Sequence, residues 1–77
     1  MNFNEIKVKV IKAIWTMNQQ AEDGDVTRNH VNYGMVSAYG DILRCMGHET
    51  VLNNCWENDK GCLVISAAKI DGEDLPI

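Results

Sequence analysis

Apolar side chains recur at helical spacing through the first twenty residues and predict an amphipathic helix from about Asn4 to Gln20. Its main apolar face comprises Phe3, Ile6, Val10, Ala13, Ile14 and Met17. Alternation near the start of this segment is also compatible with a short strand, but continuation of the pattern to Met17 favours a helix. Asn2, with Glu5 three residues later, has the pattern of a helix start.

A second apolar stripe of the same helix lies away from this main face. It consists of Val8, Ile11 and Trp15, and Lys7 separates it from the main face on one side. One small domain has a single core and does not easily cover both stripes. Exposed tryptophan is also a typical interface anchor. We therefore predict that Val8, Ile11 and Trp15 form an interface through which the protein self-associates as a homo-oligomer.

A second helix is predicted to begin at Thr27 or Asn29 and to end near Met46. Gly47 follows at the position where a left-handed residue commonly ends a helix. The predicted buried face comprises Val31, Met35, Ala38, Tyr39, Ile42, Leu43 and Met46. Two glycines lie inside this helix, and each weakens it by about 1 kcal/mol relative to alanine.

The chain after the second helix has the composition of a β-hairpin. Residues 50–57 and 62–70 are the two predicted strands, and residues 58–61 carry a strong turn signal. A short third helix over residues 49–55 is the alternative for the first of these runs. Trp56 is predicted to pack in the core or against the hairpin.

The last residues, 72–77, are either a frayed tail or a segment that packs Leu75 and Ile77 onto the body. No repeat or linker interrupts the chain. These elements predict one small α+β domain over residues 1–77, with two helices followed by a β-hairpin (ααββ).

Composition and charge narrow the classes of function. The 77 residues are 45% hydrophobic with a single proline, which favours a folded chain. The net charge of −4 and the scattered basic residues argue against a phosphate-binding surface and favour a basic partner surface over an acidic one. Ordinary solubilising charge explains the same composition, and we favour that interpretation. No apolar run is long enough to span a membrane and no leader pattern stands at the N-terminus, so we expect a cytoplasmic protein.

The three cysteines are an odd number, which argues against a disulfide framework and for a reducing compartment. Cys45, His48, Cys55 and Cys62 have the ligand types of a structural zinc site. Their spacing lacks the second closely spaced pair that such sites use, so no metal site is predicted. No nucleophile lies beside a base in a recognisable motif, so we predict neither a cofactor nor an enzymatic activity.

The polar face of the second helix is the most site-like feature of the sequence. Tyr33, Ser37, Arg44 and His48 lie within about a quarter-turn of one another and form a candidate binding site for a small anionic ligand, such as a metabolite or nucleotide. A solvated helix face has the same composition, and we favour that interpretation.

A winged-helix DNA-binding regulator is another alternative. It requires residues 26–47 to break into two helices near Tyr33 and Gly34, and its recognition helix offers only Arg44, beside Asp41. The hairpin tip is acidic, so nucleic acid is disfavoured as a partner.

The leading hypothesis is a small acidic, non-enzymatic binding protein that self-associates and binds or inhibits a macromolecular partner. Small size and the absence of a catalytic motif are also typical of accessory proteins of phages and mobile elements.

Overall fold

The computed structural model describes all 77 residues and contains two helices followed by five short strands. The elements are α1 (Phe3–Asp23), α2 (Val26–Cys45), β1 (Thr50–Val51), β2 (Cys55–Glu57), β3 (Leu63–Ile65), β4 (Lys69–Ile70) and β5 (Glu73–Asp74). The predicted α+β fold class, with two helices ahead of the strands, is confirmed. No helix of the structure has the length and apolarity that crossing a membrane requires.

Helix α1 begins and ends at residues whose chemistry suits those positions. The Asn2 side chain accepts a hydrogen bond from the Glu5 amide at 2.9 Å and donates one to the Glu5 carboxylate at 3.1 Å. Gly24 ends the helix in the left-handed conformation, at φ 74°. The helix is therefore three residues longer at its C-terminal end than the sequence predicted. Its predicted main face is confirmed, since Ile6, Val10 and the following members of that face are buried.

Helix α2 begins earlier than predicted. Asp25, and neither Thr27 nor Asn29, is the N-cap, and its carboxylate accepts a hydrogen bond from the Arg28 amide at 3.3 Å. The predicted stop is confirmed, because Gly47 directly follows the C-cap with φ 91°. The helix is unbroken throughout, so the break that a winged helix requires is absent.

The predicted buried face of α2 is largely wrong. Leu43 is buried, but Val31, Met35, Ile42 and Met46 are all exposed. The buried residues of α2 are Asn29, Val36, Gly40 and Leu43, which share the opposite side of the helix. Hydrophobic periodicity selected the more apolar side, whereas α1 and the strands pack against a side that includes an asparagine and a glycine.

The predicted hairpin is present, but its two strands are interrupted. Cys55 pairs with Ile65 and Thr50 pairs with Ile70, so one antiparallel register runs through both ladders. Residues 52–54 and 66–68 interrupt it, and there Leu52 and Ala68 turn into the core. The predicted turn at residues 58–61 joins β2 to β3, and the alternative helix over residues 49–55 is wrong.

The C-terminal segment is ordered against the body. Asp71 and Gly72, with φ 53° and 80°, form a two-residue turn that lets β5 pair with β4. Leu75 is buried beyond it and Ile77 packs against the core. Of the two alternatives for residues 72–77, the structure contains the packed one.

Two asparagines join the helices to β3. Asn29 is completely buried, and its side chain bonds both the amide and the carbonyl of Leu63. Asn18, on α1, bonds both the amide and the carbonyl of Ile65 in the same manner. These side-chain amides satisfy the edge of β3 that β2 does not pair, so they occupy the place of a further strand.

Candidate functional site

Arg44, the predicted anion ligand, is already paired within the chain. Its guanidinium forms a short ion pair with Asp41 and donates a hydrogen bond to the Thr50 hydroxyl at 2.6 Å. Ser37 lies beside it and lines the same small pocket, of about 150 Å³. Since the Asp41 carboxylate also lines this pocket, an incoming anion would meet a negative charge.

Tyr33 and His48 lie outside that pocket. The Tyr33 hydroxyl accepts a hydrogen bond from the Cys55 thiol at 3.6 Å, and this contact, together with burial, raises the pKa of Tyr33. The two other candidates, Ser37 and Arg44, share their pocket with neither of them. Ser37 adjoins both Arg44 and the Tyr33 hydroxyl, whereas His48 is paired with Asp71. The binding-site hypothesis stays a prediction.

His48 contacts residues near both ends of the chain, Phe3 and Asp71. Its Nδ1 atom lies 2.6 Å from the Asp71 carboxylate, and its ring stacks on Phe3 with centroids 4.1 Å apart. The second carboxylate oxygen of Asp71 accepts a hydrogen bond from the Glu49 amide at 2.9 Å. The hydrogen bonds from His48 and Glu49 lower the pKa of Asp71.

The candidate zinc ligands are dispersed. Cys45 is exposed on α2, Cys55 is half-buried in β2, and Cys62 is buried near the end of α1. Nowhere in the chain do three or more histidine, cysteine or acidic side chains lie close enough together to hold a metal ion.

The three residues of the predicted α1 interface differ in solvent exposure. Val8 and Trp15 are about half exposed, but Ile11 is partly buried and packs against the core. The Trp15 indole donates a hydrogen bond to the Pro76 carbonyl at 3.0 Å, which holds the C-terminal segment against α1. The indole face remains accessible, so the prediction that this surface is an interface stands as a prediction.

A larger groove lies where the C-terminal segment, α1 and the hairpin meet. We call it the Trp56 groove; its volume is about 410 Å³, and its apolar lining comprises Ala21, Trp56, Val64, Ile65 and Ile77. Trp56 is more than half exposed, so of the two predicted placements the core is wrong, and its position on the hairpin is the one observed. Trp56 and Val64 are a cross-strand pair, which places both side chains on one face of the hairpin.

The lining of the Trp56 groove includes the polar residues Asn18, Asn58 and Ser66 and one acidic residue, Glu22. Asn58 donates a hydrogen bond to the Ala21 carbonyl at 3.0 Å, so the hairpin turn adjoins the end of α1. The acidic residues of these two adjoining segments are Glu22, Asp23, Asp25, Glu57 and Asp59. Two cations, Arg28 and Lys60, lie among them, so this end of the molecule carries a net negative charge.

The outward direction of Trp56 could have been predicted from the alternation of side chains along the strands, although not from composition. Cys55 and Ile65 are a cross-strand pair that faces the helices, so the next pair, Trp56 and Val64, faces outward. The contribution of Ile77 depends on the fold of the C-terminal segment and has no local signal.

Searches against protein-family models, curated proteins and solved structures found no match to this chain. Function therefore has to be inferred from the surfaces that the residues create.

Proposed function

We propose that this protein is a small, non-enzymatic binding protein that self-associates and binds a macromolecular partner. The segment of the partner that it recognises is basic and partly apolar. The Trp56 groove is the observation that carries this proposal. It combines an exposed tryptophan, aliphatic walls and one acidic residue, Glu22, within one concave surface, and further acidic residues lie in the adjoining segments. Aromatic residues in such surroundings contribute most of the binding energy at many protein interfaces.

The charge of the surroundings supports a basic partner over an acidic one. The acidic side chains near the groove attract a Lys- or Arg-containing segment over a Debye length of about 8 Å at physiological salt. They also repel a phosphate backbone, which argues against nucleic acid. The apolar floor then selects, among basic segments, those with an aliphatic or aromatic side chain to bury.

The direct test is selection from a random peptide library, followed by isothermal titration calorimetry of the enriched peptides with the unmodified protein. We expect enriched peptides to carry Lys or Arg beside a large apolar residue. Rising salt should weaken binding, because the acidic residues contribute by charge.

Trp56→Ala is the diagnostic variant, and it should weaken peptide binding at least tenfold. Val51→Ala is the matched control, since Val51 is an exposed strand residue outside the groove. Enrichment of acidic peptides, or equal binding by Trp56→Ala and the control, would show that the groove is not the partner site.

A further inference from the structure

The outward side of α2 carries a continuous apolar stripe that no part of the chain covers. We call it the α2 stripe; it comprises Val31, Met35, Ala38, Ile42 and Cys45. All five side chains are exposed, with Val31 at 61%, Met35 at 42% and Ile42 at 40%. The stripe lies on the side of the helix opposite Val36 and Leu43, so its members are not the edge of the core.

The spacing of the stripe is that of a helix–helix seam. Its members follow one another at intervals of four, three, four and three residues, which is the a/d pattern of a coiled coil. The side of a helix that faces water normally carries polar residues, so apolar residues at this spacing over more than three turns indicate a packing surface. Repeats of three and four residues instead match packing against another helix nearly parallel or antiparallel to α2.

We propose that the α2 stripe is the self-association surface of this protein, and that α2 of a second copy packs against it in antiparallel orientation. The proposal rests on the self-association that is part of the proposed function, and it assigns that association to α2.

Side-chain size favours the antiparallel orientation. In the register that pairs Val31 with Ile42 of the second copy, Met35 faces Ala38 and Ala38 faces Met35. Each layer then combines a larger with a smaller side chain, or two branched ones, and four apolar layers close by two-fold symmetry. A parallel pair would place alanine against alanine and methionine against methionine, leaving a gap in one layer and crowding in the next.

Charge favours the same orientation. Arg28, one turn before Val31, would face Arg28 of the second copy in a parallel pair. In the antiparallel register it faces Cys45 at the C-terminal end of the other α2, where unpaired carbonyl groups attract a cation. The flanking positions bring Asp41 beside Gly34 of the second copy, so no like charges meet across the seam.

A contact of standard size requires more surface than the α2 stripe alone. A standard interface buries roughly 800 Å² per partner, and the α2 stripe is only about 21 Å long at 1.5 Å per residue. The contact that we propose therefore includes the side of α1 that adjoins α2. There a groove of about 250 Å³ meets the stripe at Met35, and its lining also includes Thr16, Tyr39 and the two lysines Lys9 and Lys12.

Sedimentation equilibrium of the full chain over a wide concentration range tests the proposal. We expect a reversible dimer for the unmodified protein and a monomer for Ile42→Glu, with the far-ultraviolet circular dichroism of both unchanged. Val8→Glu is the matched control on the outer side of α1, and it should leave the dimer constant within about threefold.

The other outcomes separate the two parts of the inference. A monomer at every concentration would refute self-association itself, and with it that part of the proposed function. A dimer that Val8→Glu dissociates and Ile42→Glu does not would retain self-association but place it on the predicted Val8, Ile11 and Trp15 surface.

The orientation has a separate test that does not depend on a destabilising variant. Under mild oxidation, the thiol introduced by Arg28→Cys should form an intermolecular disulfide with the exposed Cys45 of the second copy. The unmodified protein should form no covalent dimer, because the two Cys45 residues lie at opposite ends of the seam. A disulfide between the two Cys45 residues of unmodified protein would refute the antiparallel orientation.

Discussion

Replacing Asn29 with alanine should destabilise this protein more than any other exchange of a polar residue. Asn29 is completely buried between α1, α2 and β3. Its Nδ2 atom donates to the Met17 carbonyl at 2.7 Å and to the Leu63 carbonyl at 2.8 Å. Its Oδ1 atom accepts from the Leu63 amide at 2.7 Å, so both the amide nitrogen and the amide oxygen of the side chain contribute to linking the three elements.

The magnitude follows from the groups that the exchange leaves unpaired. Asn29→Ala removes three hydrogen bonds and leaves the Leu63 amide and carbonyl in the interior without their partner. Each unsatisfied buried group costs about 1–3 kcal/mol, so the expected loss is about 2–5 kcal/mol in the free energy of unfolding. For a domain of this size, that lowers Tm by roughly 10 °C or more.

Asn32→Ala is the matched control, because the same exchange is made one turn further along α2. Asn32 bonds the Gln20 side chain at 2.9 Å but is only half-buried, so water can replace its partner. We expect a loss of about 0.5–1 kcal/mol for Asn32→Ala. Urea unfolding followed by circular dichroism measures both variants. If Asn29→Ala were no more destabilising than Asn32→Ala, the view that Asn29 satisfies the edge of β3 would be wrong.

Two further predictions concern exposed positions. Gly34→Ala should stabilise the folded chain by about 1 kcal/mol, because an added Cβ meets no atom within 4 Å; an unchanged or lower Tm in thermal unfolding would contradict this. The pKa of Asp71 is lowered in the folded state, mainly by its hydrogen bond with His48, so this carboxylate stabilises the fold above its ordinary pKa of 3.8 and loses that contribution as pH falls below it. Asp71→Asn should therefore show a shallower decline of Tm below about pH 4 than the unmodified protein, and equal slopes would contradict the contribution.

The success of the α1 prediction and the failure of the α2 prediction have one physical cause. Periodicity reports which side of a helix is more apolar, and in α1 that side is also the buried one. In α2 the more apolar side is exposed, while the buried side includes Asn29 and Gly40. Asn29 is tolerated there because its hydrogen bonds are complete, and Gly40 because Leu52 packs against its backbone. Neither contact has a signal in the local sequence.

The candidate site was hardest to predict for a related reason. Residues on one side of a helix share a direction, but several of their partners come from segments outside that helix. Arg44 is paired with Thr50, Tyr33 with Cys55, and His48 with Asp71. Each pairing uses a group that the ligand hypothesis needed free. Conversely, Trp56 became accessible because its strand register, rather than its hydrophobicity, decides where it points.

The two proposed surfaces share no residue, since the Trp56 groove lies between α1, the hairpin and the C-terminal segment, whereas the α2 stripe lies outside the core on α2. A dimer formed through the stripe therefore presents two unobstructed grooves, and a partner with two basic segments would bind it with avidity.

Ile42→Glu should consequently leave the affinity for a single basic peptide in solution unchanged, because the groove is intact. The same variant should dissociate at least tenfold faster from a surface densely coated with that peptide, because only the dimer can bind two peptides at once. Surface plasmon resonance at two coating densities separates these cases. Equal dissociation rates for the variant and the unmodified protein at high density would mean that the grooves of one dimer cannot bind simultaneously, and binding would then be monovalent.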